Sequence, residues 1–213
     1  MTELLSRVIN TDEHSREAVA LAQKIYFEGG VFIYPTDTIY GFGANPFNQE
    51  ALEKIFAIKK RPRDKSMIML VGSIDVLLKM VDLKSEDLID FLLSIWPNPI
   101  SVVLRLNRVT AEQLGMDSAA FRIPNHGFCS KLLKAINMPL ISTSVNRHGN
   151  DALNDFQQIK MEFDGEVNAI FYSTRESLNS GSTVINLTTG RPVLVREGKI
   201  NFAEIVQKFE IRF

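Results

Sequence analysis

A second cysteine is missing: Cys129 stands alone in 213 residues, so no internal disulfide can form and zinc held by several thiolates is excluded. Long apolar runs are missing too. None approaches the roughly 18 residues of a membrane span, and residues 1–10 lack the basic start and apolar run of a signal peptide. The chain is therefore expected to be soluble and cytoplasmic, with no membrane partner. Net charge is nearly absent, Lys+Arg 24 against Asp+Glu 25, so no global field draws nucleic acid and any polyanion site must be local. Neither G-x-x-x-x-G-K-[ST] nor G-x-G-x-x-G occurs, so side chains must supply the charge of any phosphate grip. Histidine is scarce as well. His14, His126 and His148 show no triad spacing and are expected at the surface, which favours chemistry resting on positioning and charge neutralisation over proton shuttling.

What is present is a 45% hydrophobic chain, long enough for one large core, read as a single α/β domain spanning residues 1–213. Its most informative stretch is 31–43. Val31, Phe32, Ile33 and Tyr34 are apolar without alternation, as in a strand covered on both faces, and Pro35 cannot continue a ladder. Thr36, Asp37 and Thr38 then place short polar groups at a strand's carboxyl end, where α/β sheets bind ligands, in a loop whose Gly41 and Gly43 let backbone come close to one. The alternative is a tight turn whose hydroxyls satisfy local backbone groups. Upstream, Asp12 is expected to cap a helix over 13–28 that Gly29 stops, and downstream Asn48 caps a helix that Pro62 stops.

Five of the seven residues 59–65 are basic: Lys59, Lys60, Arg61, Arg63 and Lys65. A helix C-terminus explains the first two, but cations beyond it repel one another unless an anion is shared. Further strands are predicted over 66–71, 100–106, 119–123, 139–141, 167–172, 184–187 and 192–196, with helices capped by Ser73 and Ser85 and others over 127–136, 156–163 and 202–209. Trp96 reads as core. Arg122, among apolar neighbours, needs a partner or a ligand. The strand over 139–141 runs into Ser142-Thr143-Ser144-Val145-Asn146, a second hydroxyl-rich strand end, and Gly181-Ser182-Thr183 precedes another strand. Hydroxyl-bearing strand ends with a dense basic cluster suit a nucleotide's phosphates beside a small polar co-substrate.

These motifs together resemble the YrdC-like threonylcarbamoyl-AMP synthase family over nearly the whole chain. Tyr34-Pro35-Thr36-Asp37-Thr38-Ile39-Tyr40-Gly41 is similar to its Y-P-T-[DE]-T-x-Y-G segment, and Lys59-Lys60-Arg61-Pro62 to its K-x-R-P. Ser144-Val145-Asn146 matches S-x-N, Gly181-Ser182-Thr183-Val184 resembles the late S-T-[VI], and Arg196 stands at the closing arginine. The resemblance implies a twisted mixed sheet flanked by helices with a concave basic cavity. It also implies formation of threonylcarbamoyl-AMP and pyrophosphate from L-threonine, bicarbonate and ATP, with Mg2+ on the triphosphate, feeding a tRNA modification through downstream transfer proteins.

By the same resemblance, Thr36, Arg122 and Ser182 would contact threonine, while Lys59, Arg61, Lys65, Ser142, Ser144, Asn146 and Arg196 would hold the nucleotide, with Lys59 and Arg61 catalytic. Lys59→Ala or Arg61→Ala is then expected to slow pyrophosphate release at least about tenfold with the melting curve nearly unchanged. Ser66, Asn98 and Glu197 depart from the family pattern. Glu197, with Ser142-Thr143-Ser144, resembles the YciO branch, whose members leave open an RNA-binding protein without synthase activity or a transferase using another carbamoyl adenylate.

Overall fold

The structure, a computed structural model, describes residues 5–60, 67–174 and 180–212. Along these residues run β1 (Arg7–Asn10), α1 (Ser15–Phe27), β2 (Phe32–Tyr34), β3 (Gly41–Gly43), α2 (Gln49–Lys59), β4 (Ile68–Leu70), α3 (Ile74–Leu78), α4 (Glu86–Ile95) and β5 (Ile100–Arg105). There follow α5 (Arg108–Leu114), β6 (Ser118–Arg122), α6 (Gly127–Ile136), β7 (Leu140–Ser144), α7 (Phe156–Phe163), β8 (Ala169–Tyr172), β9 (Thr183–Asn186), β10 (Val193–Arg196) and α8 (Phe202–Glu210). All the strands join one mixed sheet in the order β1-β8-β2-β3-β7-β4-β6-β5-β9-β10. No described helix is long and apolar enough to cross a membrane.

The unalternating run 31–34 behaves as its composition demands. Phe32 and Tyr34 enter a core with α1 and α6 on one face, while Val31 and Ile33 enter the larger core on the other, and all four have no exposed surface. β8 divides in the same way, with Ala169 and Phe171 on one side and Ile170 on the other. Asn48, Ser73 and Ser85 cap their helices through side chains that accept from the backbone N–H three residues on. Trp96 lies in the core and donates its indole N–H to Ile100 O at 2.6 Å.

Several expectations need correction. Gly41 and Gly43 lie in β3, paired antiparallel with β2, not in a loop. Their missing side chains admit other protein groups: a Cβ on Gly43 would sit 2.6 Å from the Phe32 ring, and one on Gly41 2.9 Å from Ser142 Oγ. Asp12 does not cap α1, whose N-cap is His14 without a side-chain bond. The Asp12 carboxylate instead accepts from Ser173 Oγ and from the backbone N–H of Thr174, tying the ends of β1 and β8. Ser142, Thr143 and Ser144 lie inside β7, beyond the strand expected over 139–141, because β7 pairs with both β3 and β4 there. His126 is buried rather than superficial, its Nδ1 accepting from Cys129 N as the N-cap of α6. β1 and α5 were not anticipated at all. The stop expected at Pro62 and the strand start at Ser66 lie outside the described residues.

Candidate active site

The centre of the sheet builds one polar cavity of about 250 Å³, lined by Thr38, Ile39, Tyr40, Met67, Ile68, Arg122, Ser142, Thr143, Ser144, Gly181, Ser182 and Arg196. Six segments distant in sequence meet there because β3, β7, β4 and β6 are consecutive in the sheet, while β9 starts beside β5 with β10 next to it. Of the residues named from sequence, Arg122, Ser142, Ser144, Ser182 and Arg196 stand on this wall.

Arg122 ends β6 and is only 2% exposed. A buried guanidinium needs compensation, which the β2–β3 loop supplies. The Asp37 carboxylate lies 3.2 Å from Nη1, and the same Nη1 donates to Thr38 Oγ1 at 3.0 Å. Asp37 is fixed in turn by accepting from Asn125 N at 3.1 Å. Arg122 Nε has no hydrogen-bond partner among the described residues, a buried donor at the edge of a cavity.

Arg196 belongs to an exposed edge strand, yet its head folds inward, donating through Nη2 to Ser182 O at 2.9 Å and Ser182 Oγ at 3.3 Å. Burial, and then the like charge of Arg122, hold the Arg196 pKa below its ordinary value. Both guanidiniums line the cavity, so this wall is locally cationic in a chain of almost no net charge. Ser182 Oγ also pairs with Ser101 Oγ at 2.8 Å.

Thr36 is placed differently from its expected role. It has no exposed surface, and its hydroxyl donates to Ile39 O at 2.7 Å and accepts from Thr38 N at 3.1 Å. It holds the turn, and Thr38 takes the wall position expected of Thr36; the turn and ligand readings each describe one of the two threonines. Lys59 and Asn146 also stand behind the wall. Lys59 is 2% exposed; its ammonium donates to Ser144 O, to Asn146 O at 3.2 Å and to Asn146 Oδ1 at 2.7 Å, and lies 5.4 Å from the centre of the Phe42 ring. Asn146 Oδ1 further accepts from Ser144 Oγ at 2.8 Å. In this geometry Lys59 clamps the end of α2 to the end of β7. Arg61 and Lys65 lie outside the described residues.

A second tie runs beside the clamp. Arg147 donates to Ile58 O, pairs with Glu162 at 2.7 Å and Glu166 at 2.6 Å, and covers the Phe163 ring at 4.5 Å. His148 N donates to Lys59 O. Hydrogen bonding to Arg147 pulls the Glu166 pKa below the ordinary carboxylate value against a smaller opposing effect of burial. Sequence reasoning missed Arg147, Ile39, Tyr40, Met67 and Ile68. The first is a loop arginine beside a motif, and the others look like ordinary core.

Residues 24–198 match the Sua5/YciO/YrdC family model, described as telomere recombination. A threonylcarbamoyl-AMP synthase of Pyrococcus abyssi is 31% identical over 204 residues, covering 93% of this chain and 59% of that protein. The chain thus spans less than two thirds of that relative's length. A crystal structure of P. abyssi Sua5 complexed with L-threonine has a TM-score of 0.87 at 28% identity, over 95% of this chain and 61% of that one. E. coli YciO has a TM-score of 0.82 at 24% identity, over 95% of this chain and 98% of that one, a likeness of fold.

Proposed function

The chain belongs to the Sua5/YciO/YrdC family, and from that premise we propose that it is a nucleotidyltransferase joining L-threonine, bicarbonate and ATP into threonylcarbamoyl-AMP and pyrophosphate. One observation carries the reading: the guanidiniums of Arg122 and Arg196 open on a single cavity whose remaining polar wall is hydroxyl, from Thr38, Ser142, Thr143, Ser144 and Ser182. The threonylcarbamoyl-AMP synthase relative and the L-threonine complex of a Sua5 structure support the choice of substrate.

The reaction needs two anions held together. The threonine amine and bicarbonate give a carbamate and water; a carbamate oxygen then attacks the α-phosphate, and the bond to pyrophosphate breaks. A buried arginine compensated by Asp37 suits the amino-acid carboxylate, being fixed and shielded from water. Arg196, with its pKa lowered and its head against Ser182, gains most from a phosphoryl group that restores local balance. A cavity of about 250 Å³ is at or below the roughly 300–1,000 Å³ of drug-sized ligand sites. It therefore takes the amino acid and the reacting phosphoryl end, while the nucleoside extends beyond it. Lys59 and Asn146 act in this scheme by holding the β7 wall, and Arg61 and Lys65 complete the cation set for pyrophosphate.

Among the described residues no group of three His, Cys, Asp or Glu stands together. Mg2+ would accompany the triphosphate as part of the substrate and neutralise phosphate charge there. The product would serve tRNA modification through downstream transfer proteins in the cytoplasm, within a single domain over residues 1–213. The test is pyrophosphate release from ATP in bicarbonate buffer with threonine, with serine and with no amino acid. Threonine-dependent release supports the reading. Equal release in all three overturns it, as does salt-sensitive RNA binding indifferent to threonine.

A further inference from the structure

The two edges of the sheet are not alike. β1, at one end, carries Arg7 in an ion pair with Glu17 and buries Ile9 and Asn10. β10, at the other end, pairs with β9 alone among the described residues, and none of its four residues is buried. Its apolar side chains Val193, Leu194 and Val195 are 54%, 38% and 60% exposed. An uncovered edge strand presents a row of unpaired N–H and C=O groups, and soluble proteins usually blunt one with charges or a covering loop. β10 has three apolar residues in a row where such charges would stand.

The sequence around this strand is matched to itself. Antiparallel pairing about a two-fold axis at Leu194 sets Leu194 on its own copy, Val193 on Val195 and, twice over, Arg191 on Glu197. Arg191 and Glu197 are both exposed. Opposite charges directly across such a pair stabilise it, and like charges oppose it. A centre at Val195 would instead put Arg191 on Lys199 and Val193 on Glu197, while a centre at Val193 would put Arg191 on Val195 and Glu197 on Thr189. We propose that β10 is the docking strand for a second copy of this chain, paired antiparallel about Leu194 and flanked by two Arg191–Glu197 contacts. A hollow of about 340 Å³ between the start of β10 and α8, lined by Arg191, Pro192, Val206, Phe209 and Glu210, adjoins the paired segment and extends the contact beyond the backbone. Because both copies use the same surface, the contact consumes the free edge and stops at two chains. Pro192 and the register irregularity between Leu194 and Arg196 keep the paired stretch short, so the dimer is reversible. Arg196 of the cavity wall is carried by the same strand, and pairing steadies it in each copy.

The experiment is sedimentation velocity of the full chain from about 1 to about 200 μM, with circular dichroism to show that each variant is folded. The wild type is expected to pass from monomer to dimer in this range, since one strand from each partner makes a small interface. Arg191→Glu and Glu197→Arg each set like charges against one another twice and are expected to weaken the dimer at least about threefold, whereas the double variant returns to within about twofold of wild type. Leu194→Lys places two cations on the axis and is expected to weaken it at least about tenfold. A wild type that stays monomeric throughout overturns the proposal, and so do species larger than a dimer. A dimer indifferent to Leu194→Lys overturns it by placing the contact elsewhere. A folded double variant that associates no better than the single variants overturns the pairing about Leu194.

Discussion

At the scale of the residue, Lys59 is the clearest case of a side chain whose type was legible and whose packing was not. A lysine ending a helix beside four other cations reads as a phosphate ligand, but its ammonium is buried and committed to Ser144 O and to both oxygens of Asn146. The expectation that Lys59→Ala would leave melting unchanged is therefore reversed. Removing the donor strands buried acceptors at a cost of about 1–3 kcal/mol. For a chain of this size each kcal/mol lowers the midpoint by about 2–4 °C. Lys59→Ala should thus melt several degrees lower by circular dichroism, as well as losing activity. Arg196→Ala, on an exposed strand, should lose pyrophosphate release with a melting midpoint within about 2 °C of wild type. An unchanged midpoint for Lys59→Ala would show that the clamp contributes nothing. Arg122 was legible for a physical reason: an arginine among apolar residues has few ways to be satisfied, and Asp37, Thr38 and a cavity provide them. Thr36 and Thr38 were not separable, since two residues of one type in one loop differ only in which way the turn points them.

At the scale of the element, the end of α2 and the loop after β7 hold each other through Lys59, Arg147 and His148, and the Arg147–Glu166 pair gives that junction a pH dependence. The Glu166 pKa is depressed in the folded protein, so its contribution is fully present above the ordinary glutamate value and is lost as pH falls through the lowered folded value. Glu166→Gln should accordingly melt below wild type near neutral pH, with the gap closing in acid. A gap constant into strong acid would contradict the pairing. Glu166 is partly exposed, so the effect should shrink with added salt. Helices with side-chain caps and strands with unbroken apolar runs were readable: α6 and α7 have the predicted bounds, and β2 and β8 bury both faces. β3 was hidden because its two glycines lower β propensity, and they are explained only by what packs on them, the Phe32 ring at Gly43 and Ser142 Oγ at Gly41. β1 was hidden by its brevity, and its place beside β8 depends on pairing across more than 150 residues.

At the scale of the molecule, a chain with almost no net charge brings two guanidiniums, one from β6 and one from the edge strand β10, to a single cavity. Sequence motifs revealed the membership of that site in part, because several of them lie at the start or end of a strand and those strand ends converge. They could not give the sheet order, which alone decides that Thr38, Arg122, Ser144 and Ser182 share a wall while Thr36 and Asn146 stand behind it. The measurement that tests the central claim most directly is mass detection of the product formed from ATP, threonine and 13C-bicarbonate, by the wild type and by Arg122→Ala. A threonine-dependent adenylate carrying one 13C, made by the wild type and reduced at least about tenfold in the variant, is the predicted result. An adenylate without the label, no adenylate from the folded wild type, or equal yields from the two proteins would contradict it.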